Sequence, residues 1–193
     1  MAAPTTSRMA EIRAAALELF ARHGYAATTM ADIGAAVGVR GPSLYRHVTA
    51  KQDLLVEIMT STMDALIATH ISAVATTADP TERLRRAVDA HVRFHARHRV
   101  EAFVGNSEIR SLTEPHRSAV VARRAEYEAG FRTLITDGVE LGRFHVGSAR
   151  LASYAILDLG MGVATWFREG GELTENEVAW QQTEFALRLV GAL

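Results

Sequence analysis

The sequence has no cysteine, one lysine, four prolines and no uninterrupted apolar run long enough to span a bilayer. Without cysteine there is no disulfide, no thiolate nucleophile and no cysteine-based zinc module, which leaves histidine and carboxylate as the available metal ligands. No segment approaches the ~18 consecutive apolar residues of a transmembrane helix, and the opening MAAPTTSRMA lacks the apolar centre of a secretory signal. The expectation is a cytoplasmic protein with no membrane partner. No phosphate-cradling glycine loop and no nucleophile motif is present, so catalysis is not expected and no cofactor is implied. Neither charge dominates: the formal net charge is −1, which gives no global attraction to a polyanion.

What is present is helical signal. Hydrophobic residues make up 48% of the 193 and recur at intervals of three and four over long stretches, so the predicted fold class is all-α. The charge is unevenly spread. Residues 1–55 carry six cations against four anions, whereas the remainder carries fifteen against eighteen. The positive excess is small and local, and it lies at the N-terminal end.

Within that segment, Thr28 to Leu55 reads as a helix-turn-helix. Thr29 stands at the N-cap of a short helix whose apolar positions Met30, Ile33 and Val37 share one face. Gly38 ends the helix, because glycine enters the left-handed region without a Cβ clash, and Val39 fills the corner. A second helix of about two turns is expected from Arg40 to His47, with Pro42 in the first turn, where its missing N–H is not needed. Leu44 and Val48 face inward; Arg40, Ser43 and Arg46 do not. A helix with so thin an apolar stripe and so many donors suits a DNA major groove. Thr49 and Gln52 read as a capping box for a third helix, which carries Lys51 in its first turn. A cation there opposes the helix dipole, so a phosphate contact is the expected reason for it.

Thr28, Thr29, Asp32, Ile33, Gly38 and Val39, followed by Ser43, Leu44, Tyr45, His47, Lys51 and Leu54, have the order and spacing of the DNA-binding domain of the TetR family, which the stretch resembles. Gly34 and Val37 stand where the family usually has alanine, and Val48 where it usually has phenylalanine; none of the three breaks the pattern. The resemblance implies two domains: a three-helix helix-turn-helix domain at 1–53 and a helical ligand-binding and dimerisation domain at 54–193. It implies a ligand-responsive DNA-binding transcriptional regulator, read as a repressor released from a palindromic operator by an apolar or amphipathic small molecule, such as an acyl-CoA. It also implies a homodimer paired through the last two helices.

Along the rest of the chain, a first helix is expected from about Ser7 to His23, with Met9, Ile12, Ala16, Leu19 and Phe20 inward and Gly24 ending it. The helix opened near Thr49 meets no breaker before Asp79-Pro80, a length of about 25 residues or roughly 38 Å. In the resembling family this helix is the lever between cavity and DNA. Asp79-Pro80-Thr81-Glu82 starts a helix ending near His98, and a shorter segment follows around Val100 to Leu112. Thr113-Glu114-Pro115 opens a long helix bearing Val120, Tyr127, Phe131, Leu134 and Ile135, closed by Gly142. The segment from Leu151 to Trp166 is apolar on more than one side, and Thr174 with Glu177 caps a final helix bearing Val178, Phe185, Ala186, Leu189 and Val190. Surplus apolar surface on two C-terminal helices is what a twofold interface needs.

The DNA-binding candidates are therefore Thr29, Arg40, Ser43, Tyr45, Arg46, His47 and Lys51. Arg40 and Arg46 can pair bidentately with guanine, Tyr45, His47 and Lys51 suit the backbone, and Thr29 offers a hydroxyl or N–H to phosphate. Phe94, Phe103, Tyr127, Phe131, Tyr154 and Trp166 fall on the helices that wall the ligand cavity in the resembling family. The stretch Trp166 to Gly171 resembles a pattern in members that answer to acyl-CoA thioesters, which would set Arg168 near a phosphate. Two other readings stay open. His91, His95 and His98 share a helical face and, with His70 or His116, could hold a metal in a metal-responsive regulator, although no acid is placed to orient them. The other is a helical enzyme or protein-interaction module with an incidental helix-turn-helix.

Overall fold

The computed structural model describes residues 8–39 and 41–192. Among the described residues there are nine α-helices, one 3-10 turn and no strand. Three short helices come first: α1 (Arg8–His23), α2 (Met30–Ala36) and α3 (Gly41–Leu44). The long α4 (Lys51–Val74) leads into α5 (Pro80–Arg97) and α6 (Arg99–Ser107), and the 3-10 turn Ile109–Ser111 precedes α7 (His116–Glu140). The chain closes with α8 (Ala149–Trp166) and α9 (Glu175–Leu189).

Local chemistry accounts for most of these boundaries. The Thr29 side chain accepts from the Asp32 N–H at 3.1 Å while the Asp32 carboxylate accepts from the Thr29 N–H at 2.8 Å, a reciprocal cap at the start of α2. Gly38 has φ of 68°, the left-handed value that turns the chain toward α3. Asp79 and Thr174 cap α5 and α9 as their sequences predict. The expected box at Thr49 and Gln52 is displaced by one residue. Ala50 is the N-cap of α4, and its N–H donates to Asp53 Oδ2 at 3.0 Å. Gln52 instead reaches the Ser111 carbonyl at 3.4 Å. The second helix of the motif also differs from expectation: α3 is one turn, and the chain to Val48 continues in looser turns closed by His47 N–H to Leu44 O (2.9 Å) and Val48 N–H to Leu44 O (3.1 Å).

Two apolar cores organise the chain. Ile12, Phe20, Ile33, Leu44, Leu55 and Ile58 form the first, and Val104, Leu112 and Val120 join it from α6, the segment after it and α7. The three-helix unit is therefore seated on the body through apolar contact. In the second core α5 is central, flanked by α4, α7, α8 and α9, with Leu84, Val92, Phe131, Ile135 and Ile156 fully enclosed. Phe144 closes its end by lying in the notch at Gly138, where an added Cβ would fall 2.0 Å from the ring. Among the described residues only α4 has the length and hydropathy of a membrane span. Its apolar positions are used internally: Leu54, Leu55, Ile58 and Met59 enter the first core and Leu66 the second.

Candidate functional site

The helix-turn-helix presents a prepared outer face. Leu44 and Val48 are buried, which anchors α3 and the turn after it, and Ser43, Tyr45, Arg46 and His47 are left exposed. Tyr45 is 56% exposed although it is aromatic. None of these four side chains has a hydrogen-bond or ion-pair partner among the described residues, so their donors are uncommitted. Arg40, the remaining candidate of the motif, lies outside the described residues. A Cβ on Gly34 would approach the Val39 carbonyl oxygen at 2.9 Å, so the absence of one lets α2 and the turn before α3 meet closely.

Thr29 and Lys51 have internal partners that their sequence positions did not reveal. The Thr29 N–H and hydroxyl both serve Asp32, and those bonds hold the Asp32 carboxyl below its usual range. The α2 amides that the cap leaves unused are those of Met30 and Ala31. Lys51 Nζ donates to the carbonyls of Tyr25 and Thr28, both at 2.6 Å, and lies 4.2 Å from the centre of the Tyr25 ring. Stability therefore gives a reason for this lysine at the start of α4: it ties the α1–α2 elbow. An ammonium has three N–H groups, and two are used here.

The same elbow is tied to the body. Glu108, at the end of α6, accepts from the Tyr25 N–H at 3.2 Å and from the Ser111 hydroxyl at 2.8 Å. Arg13 of α1 donates to Ser61 of α4 at 2.6 Å. A displacement of α6 or α4 is thus delivered to the N-terminal unit by hydrogen bonds as well as by packing.

The body contains a cavity of about 360 Å³, walled by α4, α5, α6, α7 and α8. Met59, Met63, Leu66, Phe94, Leu157 and Met161 give it an apolar lining that thioethers can reshape. Of the aromatic candidates, Phe94, Tyr127 and Tyr154 line it. The other three do not, and neither does Arg168. Phe131 is fully buried against His70 and Tyr127, Phe103 is 52% exposed on α6, and Trp166 is exposed at the end of α8. Arg168 is exposed and donates to the carbonyls of Thr165 and Phe167. Helical spacing puts an aromatic on a helix but does not say whether its neighbour is a void or another ring.

His91 and His95, absent from the aromatic candidates, belong to the cavity wall. His91 is enclosed, with Nδ1 2.8 Å from the Tyr127 hydroxyl and Nε2 3.1 Å from the Leu157 carbonyl. A carbonyl only accepts, so Nε2 carries the proton and Nδ1 accepts from Tyr127. His95 Nδ1 donates to the His91 carbonyl at 2.9 Å, which leaves its Nε2 as a lone-pair acceptor. Burial lowers both pKa values. The metal reading of this histidine face is not supported: both nitrogens of His91 are taken, His98 faces Glu101 outside, and no metal-competent cluster occurs among the described residues.

Burial likewise lowers His70, to about 4, and leaves its Nδ1 without a partner. These imidazoles are neutral when folded and take up a proton more readily when unfolded, so the stability they permit is complete above pH 6.5 and declines as pH falls from 6.5 toward about 4. Denaturant unfolding across that window should show the decline, and His70→Gln should make it shallower; equal slopes for the two proteins would remove His70 from the account.

The last two helices carry exposed apolar side chains: Leu151, Leu159 and Trp166 on α8, and Phe185 and Leu189 on α9. So much apolar surface on adjoining elements marks a face made to be covered.

The sequence model for bacterial regulatory proteins of the tetR family matches residues 12–58, and that for the tetracyclin repressor-like C-terminal domain matches residues 77–190. The HTH-type transcriptional repressor KstR2 of Mycobacterium tuberculosis is 28% identical over 189 residues, covering 97% of this chain and 94% of that protein. A regulatory protein in the tetR family from Rhodococcus RHA1 superposes with a TM-score of 0.91 at 33% identity, covering 98% of this chain and all of that one. AibR, solved with isovaleryl coenzyme A and operator DNA, superposes with a TM-score of 0.84 at 26% identity, covering 93% and 97%.

Proposed function

The chain belongs to the TetR family of bacterial transcriptional regulators, which bind operator DNA as dimers and respond to small molecules, and on that premise we propose a cytoplasmic repressor whose effector is an amphipathic molecule. The carrying observation is the pairing of an uncommitted donor face on α3 and the turn after it with an apolar cavity in the body, the two joined through α4 and α6. Ser43 and Arg46 read base edges, Tyr45, His47 and the third N–H of Lys51 hold the phosphate backbone, and residues 1–53 act as the DNA-binding unit. Two copies pair through the exposed faces of α8 and α9.

An acyl-CoA thioester is the favoured effector class, supported by the isovaleryl coenzyme A in the AibR structure. Filling the cavity pushes on α4 and α6, and the two readers then no longer match successive major grooves about 34 Å apart. By linkage, the effector must bind the non-matching geometry more tightly; about 3 kcal/mol of coupling weakens operator binding roughly 150-fold.

The test begins with selection of binding sites from random-sequence DNA by the intact protein, which should return an inverted repeat. Arg46→Ala is then expected to cost about 1–3 kcal/mol on that site and little on random DNA. Equal losses on both would make Arg46 a backbone contact. Failure to recover any preferred sequence would sink the regulator reading itself.

A further inference from the structure

Arg124 is the cation of the cavity wall, and it has no carboxylate partner among the described residues. Arg85 and Arg93, also partly buried, each meet a carboxylate at 2.8 Å, whereas Arg124, like Arg99, bonds only neutral oxygens. Its Nη2 donates to the Gly105 carbonyl at 2.7 Å and lies 3.4 Å from Asn106 Oδ1, at the C-terminal end of α6. Those partners supply only partial negative charge. Partial burial thins the water around the guanidinium and lowers its pKa. A guanidinium has five N–H donors in a fixed fork; only Nη2 is engaged here, and the others stay open to water or to a ligand.

We infer that the cavity takes a ligand with an anionic group on an apolar body, and that Arg124 is the residue that reads the anion. This rests on the cavity being the effector site. The carboxylates in the wall do not argue for a cation instead. Glu128 is engaged by the Ser153 hydroxyl at 2.5 Å and by Arg132 at 3.5 Å, and Glu101 faces His98 at 3.6 Å. Asp158 is exposed, so it marks the solvent side of the cavity. Inside, a ligand meets Met63, Leu66 and Phe94, then the partly desolvated Arg124 cation. A charge-assisted, bidentate bond there gives the partly desolvated guanidinium the counter-charge that its neutral partners on α6 do not supply. The anion competes with the Gly105 carbonyl for the same donors, which ties recognition to the position of α6 and so to Glu108 and Tyr25. A free carboxylic acid and the phosphates of a coenzyme A thioester share this chemistry.

The test uses the full-length protein and four probes of equal chain length, octanoate, octanoyl-coenzyme A, octanol and octylammonium, titrated calorimetrically. At least one anionic probe should bind about tenfold or more tighter than octanol, with octylammonium weakest. The tighter of the two anions identifies the free acid or the thioester as the source. Arg124→Met, which keeps the bulk of the stem, should bring the preferred anion and octanol to within about twofold of each other, and Arg124→Lys should restore part of the preference. If Arg124→Met does not fold, the order of the four probes on the unaltered protein decides. Octanol or octylammonium binding as tightly as the anions, a preference that survives Arg124→Met, or no binding of any probe by a protein that still selects an operator each overturns the inference. Only the last experiment's control, loss of operator selection by the unaltered protein, bears on the regulator reading.

Discussion

Gly160→Ala should destabilise the protein by about 2–4 kcal/mol, although alanine is the better helix former by about 1 kcal/mol. A Cβ at position 160 would lie 2.2 Å from His91 Cδ2 and 2.7 Å from His91 Nε2. The imidazole cannot retreat, because it is enclosed among Tyr127, Phe131 and His95 with ring centroids 4.3–5.7 Å away. Its displacement breaks the bonds to Tyr127 and the Leu157 carbonyl and strands their buried partners, which costs about 1–3 kcal/mol for each group left unpaired. Thermal unfolding at fixed protein concentration should show Tm lower by roughly 4–16 °C. A variant as stable as the parent would mean that α8 slides without cost, and the cavity wall would then be far softer than its packing indicates.

The second large effect is expected at Leu44. This side chain is fully buried and its Cδ2 lies 3.5 Å from where a Gly34 Cβ would stand, so it holds α3 to α2. Leu44→Ala removes that anchor at a cost of about 2–5 kcal/mol. α3 is a single turn of four residues and has no helical stability of its own. The loss therefore falls on the DNA-reading surface, while the second core, which contains no residue of α3, keeps its contacts. Operator binding should be reduced to the level of random DNA with most helical circular dichroism retained. Operator affinity within about threefold of the parent would show that the outer face does not depend on this anchor.

How much of this was legible in the sequence depended on the range of the interaction. Thr29, Gly38 and Asp79 act on neighbours a few residues away, and each does what its local pattern predicts. The box at Thr49 and Gln52 failed for a local reason: Ala50 has no side chain to announce a cap, so the signal sat only in Asp53. The cavity was legible in part. Phe94, Tyr127 and Tyr154 line it, but Phe131 shares the inner side of α7 with Tyr127 and fills core instead. The histidine spacing on α5 was real, yet its meaning lay in Gly160 on a distant helix, which opens the slot for His91. Arg124 gave no signal at all, since an arginine becomes unusual only when the structure shows which carboxylates are missing around it. Lys51 was placed correctly and explained incompletely, because the carbonyls it holds belong to a loop more than twenty positions earlier.

That lysine has one more consequence. It is the sole side-chain amine of the sequence, and it is clasped between two peptide oxygens under an aromatic ring. Reagents that acylate amines would find, apart from the α-amino group, a single target whose reactivity rises only when the elbow between the first two helices loosens. The molecule thus carries its own chemical reporter at the junction where effector and operator contend.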